Sequence, residues 1–270
     1  MERKLIESRP VVLKLGGSAI TEKKGEEPNP RSDVISRAAA EIIKARVKNL
    51  VIVHGAGSFG HPMAAEFMLK DGFREESQKM GLAITHNLVS VLNGLVMDAL
   101  LVDDFPAVSV APSSCVVSSD GRIKRFEDQP LKMLLRMGFT PVLYGDVVMD
   151  ERIGFTVVSG DQLAAVLAMK LDARKIIMAG DTDGVYDGPP KNPGAKPYAR
   201  LTLADLKKIE DKLGASAGSD VTGGMLGKIT ELKPAVEAGI PVMVVNATKA
   251  NSVYRALLGE KVEGTLIEKA

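Results

Sequence analysis

The stretch Leu50-Val51-Ile52-Val53-His54-Gly55-Ala56-Gly57-Ser58-Phe59-Gly60-His61-Pro62 carries an apolar run into a glycine-rich turn and out again into a helix start. Four aliphatic residues in succession suit a strand buried on both faces. Gly55, Gly57 and Gly60 allow close approach of backbone to a ligand. A helix beginning near Pro62 presents free N–H groups and a positive dipole end to that turn, a natural seat for phosphate. His61 stands where an anion would sit, and the chain of 270 residues has only three histidines.

The same alternation recurs to either side. Val11–Leu15, Ala107–Val110, Pro141–Tyr144, Ile153–Val158, Lys175–Ala179 and Pro241–Val245 read as strands. A helix capped by Ser32 and running through Val47 places Val34, Ile35, Ala38, Ala39, Ile42 and Ile43 on one face. Gly81–Leu101, Gln162–Lys170 and Ile229–Ala238 read as further helices. Strands alternating with helices predict an α/β fold, a three-layer αβα sandwich around a largely parallel central sheet.

Ligands of such sheets bind beyond the carboxyl ends of the strands. Those ends carry Gly16-Gly17-Ser18, the His54–His61 turn, Gly145-Asp146, Ser159-Gly160-Asp161 and Asp181-Thr182-Asp183-Gly184. The loop Asp187–Lys196, with three prolines and two glycines, is expected to separate an amino-terminal lobe from a carboxyl-terminal one, the lobes being assigned as 1–180 and 181–270 of one continuous domain.

Composition narrows the function classes. With 45% hydrophobic and 26% charged residues and a net charge of +1, no global field favours nucleic acid or an anionic membrane. Cys115 is the only cysteine, which excludes an internal disulfide and fits a reducing compartment. Neither a signal-peptide core nor an unbroken apolar run of membrane-spanning length is present, so a cytoplasmic location is expected.

Gly55-x-Gly57-x-x-Gly60 matches the dinucleotide-binding pattern by letter. That pattern also needs an acidic residue ending the next strand, about 20 residues on. Glu75 and Glu76 lie near that distance, but Phe73–Lys79 is polar and not strand-like. The Gly-x4-Gly-Lys-Ser/Thr phosphate loop is absent. Lys14 sits within the first apolar strand, directly before Gly16-Gly17, and reads either as a solvated edge lysine or as a lysine held at a ligand's rim. Asp220-Val221-Thr222-Gly223-Gly224 leads to Lys228 at the start of a helix, a second phosphate-type arrangement. Asp161 reads either as an ordinary N-terminal helix acid or as a site residue. Two lysines, His61 and several glycine turns suit phosphoryl transfer, which needs positive charge around a developing anion and close positioning of two reactants.

These motifs resemble the amino acid kinase superfamily over nearly the whole chain, from Lys14-Leu15-Gly16-Gly17-Ser18 through Asp181-Thr182-Asp183-Gly184-Val185-Tyr186 to Thr222-Gly223-Gly224-Met225-x-x-Lys228. Within it, Val53–Pro62, Tyr144-Gly145-Asp146-Val147-Val148, Ser159-Gly160-Asp161-Gln162, Asp220–Met225, and Ala256–Gly259 with Gly264-Thr265 are similar to the isopentenyl phosphate kinases. The resemblance implies ATP-dependent phosphorylation of isopentenyl phosphate to the diphosphate in an archaeal-type mevalonate route. A fosfomycin-type kinase would share much of the pattern. A non-catalytic nucleotide sensor on the same fold is the alternative of a different class, and it should have lost one of the lysines.

By resemblance, Lys14 and Lys228 hold the transferring group, Lys23 (or Lys24 beside it) stabilises the transition state, and Asp161 orients lysines. Ala56, His61 and Gly160 would contact the acceptor phosphate, with His61 donating as an imidazolium. Lys14, Gly16, Gly17, Ser18, Gly57, Asp181, Gly224 and Lys228 would contact the nucleotide. Mg²⁺ would be carried by phosphates and water, with no protein metal ligand. Leu82, Ala83 and Val89 are candidate liners of a prenyl pocket. His86 reads as a packed or surface residue, and His54 as a support for its loop. Homodimerisation through the amino-terminal lobe also follows from the resemblance.

Overall fold

A computed structural model of the protein describes residues 9–22, 27–190, 192–215 and 225–270. Eight strands form the main sheet, in the order β10 (Arg200–Thr202), β12 (Gly264–Glu268), β11 (Val242–Asn246), β9 (Lys175–Gly180), β1 (Val11–Leu15), β2 (Leu50–His54), β6 (Thr140–Tyr144), β3 (Ala107–Ser109). Every neighbouring pair is parallel except β11 with β12.

Alternate residues of each central strand enter two separate cores. Val12, Val51, Val53, Leu143, Ile176 and Val244 face one way, with the helix Gly160–Lys170. Val11, Leu13, Leu50, Ile52, Val142 and Ile177 face the other, with the helix Ser32–Ala45 and part of the helix Ser77–Leu100. The apolar runs are therefore continuous because both faces are covered, as the three-layer expectation requires.

Some boundaries differ from expectation. Ser32 is the first helical residue of its helix and makes no cap bond, because Arg31 holds the flanking position. That helix stops at Ala45, where Arg46 turns left-handed at φ 48°. Ser77–Leu100 is long and apolar enough, by length and composition, to cross a bilayer. Scattered polar residues hide this in the sequence; in the fold its Val89, Leu92, Val96 and Leu100 are buried against the protein.

A second sheet, of which the sequence showed only the Ile153–Val158 strand, consists of β5 (Arg122–Phe126), β4 (Val116–Ser119), β7 (Asp146–Asp150) and β8 (Gly154–Val158), in that order. Gly145 alone separates β6 from β7, so the chain changes sheets at one residue. The second sheet stands beside the carboxyl ends of β2 and β6 and walls one side of the site.

Candidate active site

Strand register brings the turns together. Leu15 pairs with His54 on one side and Ala179 on the other, His54 with Tyr144, and Gly180 with Asn246. Gly16, Gly55, Gly145 and Asp181 therefore leave the main sheet at one edge.

Two glycine turns meet there at backbone distance. A Cβ on Gly17 would lie 2.5 Å from the Gly57 nitrogen, and one on Gly55 would lie 2.6 Å from the Gly17 nitrogen. Gly57 has φ +52°, which favours glycine. Thr21 fastens the contact, donating from Oγ1 to the Gly17 carbonyl at 2.9 Å and accepting the Ser58 N–H at 3.0 Å. Gly60 is confined instead by side chains, with a Cβ there falling 2.6 Å from the Ala56 Cβ and 2.9 Å from a Val89 methyl.

Lys14 points to the face that carries Gly160–Lys170, because it has the same parity as Val12. Its Nζ lies 2.7 Å from Asp161 Oδ1, with the side chains 5% and 15% exposed. The reading as a solvated edge lysine is thus excluded. Ser159 caps that helix by accepting the Gln162 N–H at 3.1 Å, which places Asp161 in its first turn.

A cavity of about 270 Å³ opens beside this pair. It is lined by Lys14, Lys228, His61, Ser18, Asp161 and by Gly17, Gly55, Ala56 and Gly160. The rest of its lining is Ala64, Thr85, Val89, Asp146, Val157, Val158 and Ser159 with Gly60 and Gly145. On the far side of Lys14 and Lys228 runs a narrow cleft lined by Gly16, Met178, Ala179, Gly180, Met225 and Val244. The two lysines thus border both spaces.

Lys14, Gly16, Gly17, Ser18, Ala56, His61, Gly160, Asp161 and Lys228 all line one or both of these spaces. Gly57 and Asp181 line neither. Gly57 backs Gly17, and Asp181 accepts from Ser18 Oγ at 3.1 Å. Lys23, Lys24 and Gly224 lie outside the described residues. Of the proposed tail-pocket residues, Val89 lines the cavity, Leu82 packs on the small Leu69–Val147–Phe155 cluster, and Ala83 is exposed. Thr85 takes the wall position, one helical turn before Val89.

His61 stands among charged neighbours. Partial desolvation and the adjacent Lys14 and Lys228 push its pKa below the ordinary histidine value, with Asp161 opposing. These influences favour the neutral ring. His54 is fully buried, which lowers its pKa to about 4. It stacks on Tyr144 and contacts Asn93 Oδ1 at 3.2 Å, the supporting role expected of it.

Sequence reasoning passed over Asp146 and His86 as a pair. Asp146 is buried in the cavity wall and accepts from His86 Nδ1 at 2.9 Å, from Val147 N at 2.8 Å and from Ser113 N at 3.1 Å. Sixty positions separate the partners, so only the Tyr144-Gly145-Asp146 motif offered a signal. Among the described residues, no group of three or more His, Cys, Asp or Glu could hold a metal ion.

The profile of the amino acid kinase family matches residues 9–246. This chain belongs to the amino acid kinase family. Isopentenyl phosphate kinases within that family are its near relatives. The one from Methanothermobacter thermautotrophicus is 42% identical over 268 residues, covering 95% of this chain and 98% of its own. The one from Methanocaldococcus jannaschii is 37% identical, covering 95% and 98%. A solved isopentenyl phosphate kinase structure superposes with a TM-score of 0.84 at 39% identity, covering 95% of this chain and 99% of its own. The family's fold accounts for the mostly parallel sheet.

Proposed function

We propose that this protein transfers the γ-phosphoryl group of ATP to the phosphate of isopentenyl phosphate, giving the diphosphate and ADP. The carrying observation is the mixed lining of this cavity. Its lining joins two lysines, a histidine and glycine backbone to the apolar side chains of Ala64, Val89, Val157 and Val158 around a volume of about 270 Å³. That combination suits an acceptor with a dianionic head and a short hydrocarbon tail. The relatives bearing this activity by name support the reading along the full chain.

The chemistry asks little proton transfer of the protein. A phosphate monoester, with a second pKa of about 6, is largely a dianion at neutral pH, so its oxygen attacks without a general base. That oxygen bonds to the γ-phosphorus as the bond from phosphorus to the ADP oxygen breaks. Lys14 and Lys228, bordering both spaces, set positive charge where the equatorial oxygens gain negative charge. Asp161 fixes the Lys14 ammonium in place. The His61 N–H donates to the acceptor phosphate, and the arriving dianion favours the protonated ring. Ala56 and Gly160 complete the acceptor end. Gly16, Gly17 and Ser18 approach the nucleotide, with Gly57 and Asp181 behind them. Lys23 and Gly224 belong to the same proposal.

The tight glycine backbone suits nucleotide phosphates, and Mg²⁺ would be carried by those phosphates and by water. The acceptor end falls to residues 1–180, and residues 181–270 add Asp181, Gly224 and Lys228 to the glycine turns of 1–180 at the nucleotide end, in one domain. A cytoplasmic location and a place in an archaeal-type mevalonate route go with this reading. So does a homodimer. Met80, Val91 and Leu95 are 63%, 49% and 37% exposed on the helix Ser77–Leu100, an apolar face suited to a second copy.

The deciding experiment supplies ATP and Mg²⁺ with a panel of isopentenyl, dimethylallyl and geranyl phosphates, fosfomycin, UMP and glutamate. Turnover should be greatest with a five-carbon monophosphate. Turnover with UMP or glutamate and none with prenyl phosphates would overturn the proposal.

A further inference from the structure

The tight turn joining β4 to β5 touches both helices that deliver charge to the cavity, although it contributes no residue to the cavity itself. Asp150 in β7 builds this turn. Its carboxylate is 4% exposed and accepts the N–H groups of Asp120 (3.1 Å), Gly121 (2.9 Å), Arg152 (2.9 Å) and Ile153 (3.1 Å). Gly121 at φ +75° makes the reversal.

From this fixed turn, two links run outward. Gln162, next to Asp161, accepts the Ile123 N–H at 3.0 Å and donates to the Gly121 carbonyl at 3.3 Å. Arg122 donates from both Nη atoms to the two carboxylate oxygens of Glu231, each at 2.7 Å. Glu231 lies three residues beyond Lys228 in the helix Met225–Glu237, so the two side chains share a helix face. Between these links lies a second cavity of about 290 Å³, which Arg122 and Glu231 border together with Lys70, Thr156, Ser159 and Gln162. The fork therefore ties the turn to the edge of this helix beside the cavity, next to the core in which Ile229 and Leu232 pack with Leu163 and Leu167.

We propose that Arg122 is a positioning residue for Lys228. Through Glu231 it holds the helix Met225–Glu237 in register with the helix that bears Asp161 and, through it, Lys14. The planar, two-bond fork fixes orientation as well as distance, which a lysine at position 122 cannot do. Stability is not its main product, since Arg122 is 59% exposed on its side chain and exposed pairs contribute little. Its effect belongs to the transfer step, where small displacements of a charged group are costly.

This inference rests on the kinase activity proposed above. Its test compares the unmodified protein with Arg122→Ala, Arg122→Lys, Glu231→Gln and the double variant Arg122→Ala/Glu231→Gln, using isopentenyl phosphate and ATP. Arg122→Ala should lower kcat about tenfold, with thermal midpoint and both KM values little changed, as expected for a sub-ångström displacement of a catalytic group. Arg122→Lys should recover only part of kcat. The double variant should be no slower than Arg122→Ala alone. An unchanged kcat, additive losses in the double variant, or a loss explained by a lowered melting midpoint would each overturn it. Absence of turnover in the unmodified protein would instead refute the proposed function, so the two failures are distinct.

Discussion

Replacing Gly17 by alanine tests the cradle at its tightest point. The added Cβ would lie 2.5 Å from the Gly57 nitrogen and 2.8 Å from its Cα, both backbone atoms with no rotamer to escape through. Ordinary contact begins at 3.4 Å, so the two turns must part by about 0.9 Å. A displacement of that size at reacting groups costs about 100-fold in rate, and overpacking costs about 1–3 kcal/mol of stability. Gly17 is the first residue of a short helix, where propensity by itself favours alanine. Propensity and packing therefore predict opposite signs, and packing against backbone should win. The assay is steady-state kcat/KM with ATP and isopentenyl phosphate, beside a denaturant melt. Gly94→Ala is the control, since a Cβ there meets nothing within 4 Å and should stabilise its helix by about 0.5–1 kcal/mol. A Gly17→Ala protein within twofold of the unmodified rate would refute the claim that this contact sets the site's geometry.

Asp161→Asn leaves the Lys14 ammonium buried beside a neutral amide; kcat should fall about 100- to 1,000-fold, as when one preorganised electrostatic contact is lost, and a rate within threefold of normal would remove Asp161 from the site. His61→Ala should raise the acceptor KM and lower kcat, whereas ATP affinity measured by calorimetry stays within twofold; equal losses for both ligands would place His61 elsewhere in the mechanism. His54 has a folded pKa of about 4 against 6.5 unfolded, because burial disfavours its charged form. The unfolded chain binds the extra proton between these values, so this group's contribution, on the order of 3 kcal/mol, is full above pH 6.5 and is lost as pH falls toward 4. Urea melts at pH 7 and 4.5 should show a smaller acid loss in His54→Asn than in the unmodified protein, and identical losses would contradict the assignment. Val91→Glu should convert a homodimer to monomer in sedimentation; a dimer that persists would exclude that helix face as the contact.

The strands of the main sheet that lie between two helical layers could be read directly. Val11–Leu15, Leu50–His54 and Lys175–Gly180 need apolar residues on both faces, so their sequences are nearly unbroken apolar runs. Most of the second sheet was hidden for the converse reason. Arg122–Phe126 is an edge strand with mostly exposed side chains, and its Arg-Ile-Lys-Arg-Phe sequence carries little apolar signal. The single-residue junction at Gly145 removed the punctuation that would have marked β7 as a new strand.

By itself, the sequence determined the fold class, the gathering of glycine turns at the strand ends, and a chemistry built from lysines and phosphate cradles. Those are local properties, set by side-chain type and spacing. Only the tertiary structure decided which way Lys14 points, because that depends on strand parity relative to the helix bearing Asp161. It likewise decided the direction in which the His61 pKa moves, since partial desolvation and lysines 47 positions before it and 167 after it in the chain lower it. The pairing of Asp146 with His86, and the reach of Arg122 to Glu231, join residues that share no local pattern. Packing and electrostatics act through space, and the folded backbone supplies those distances.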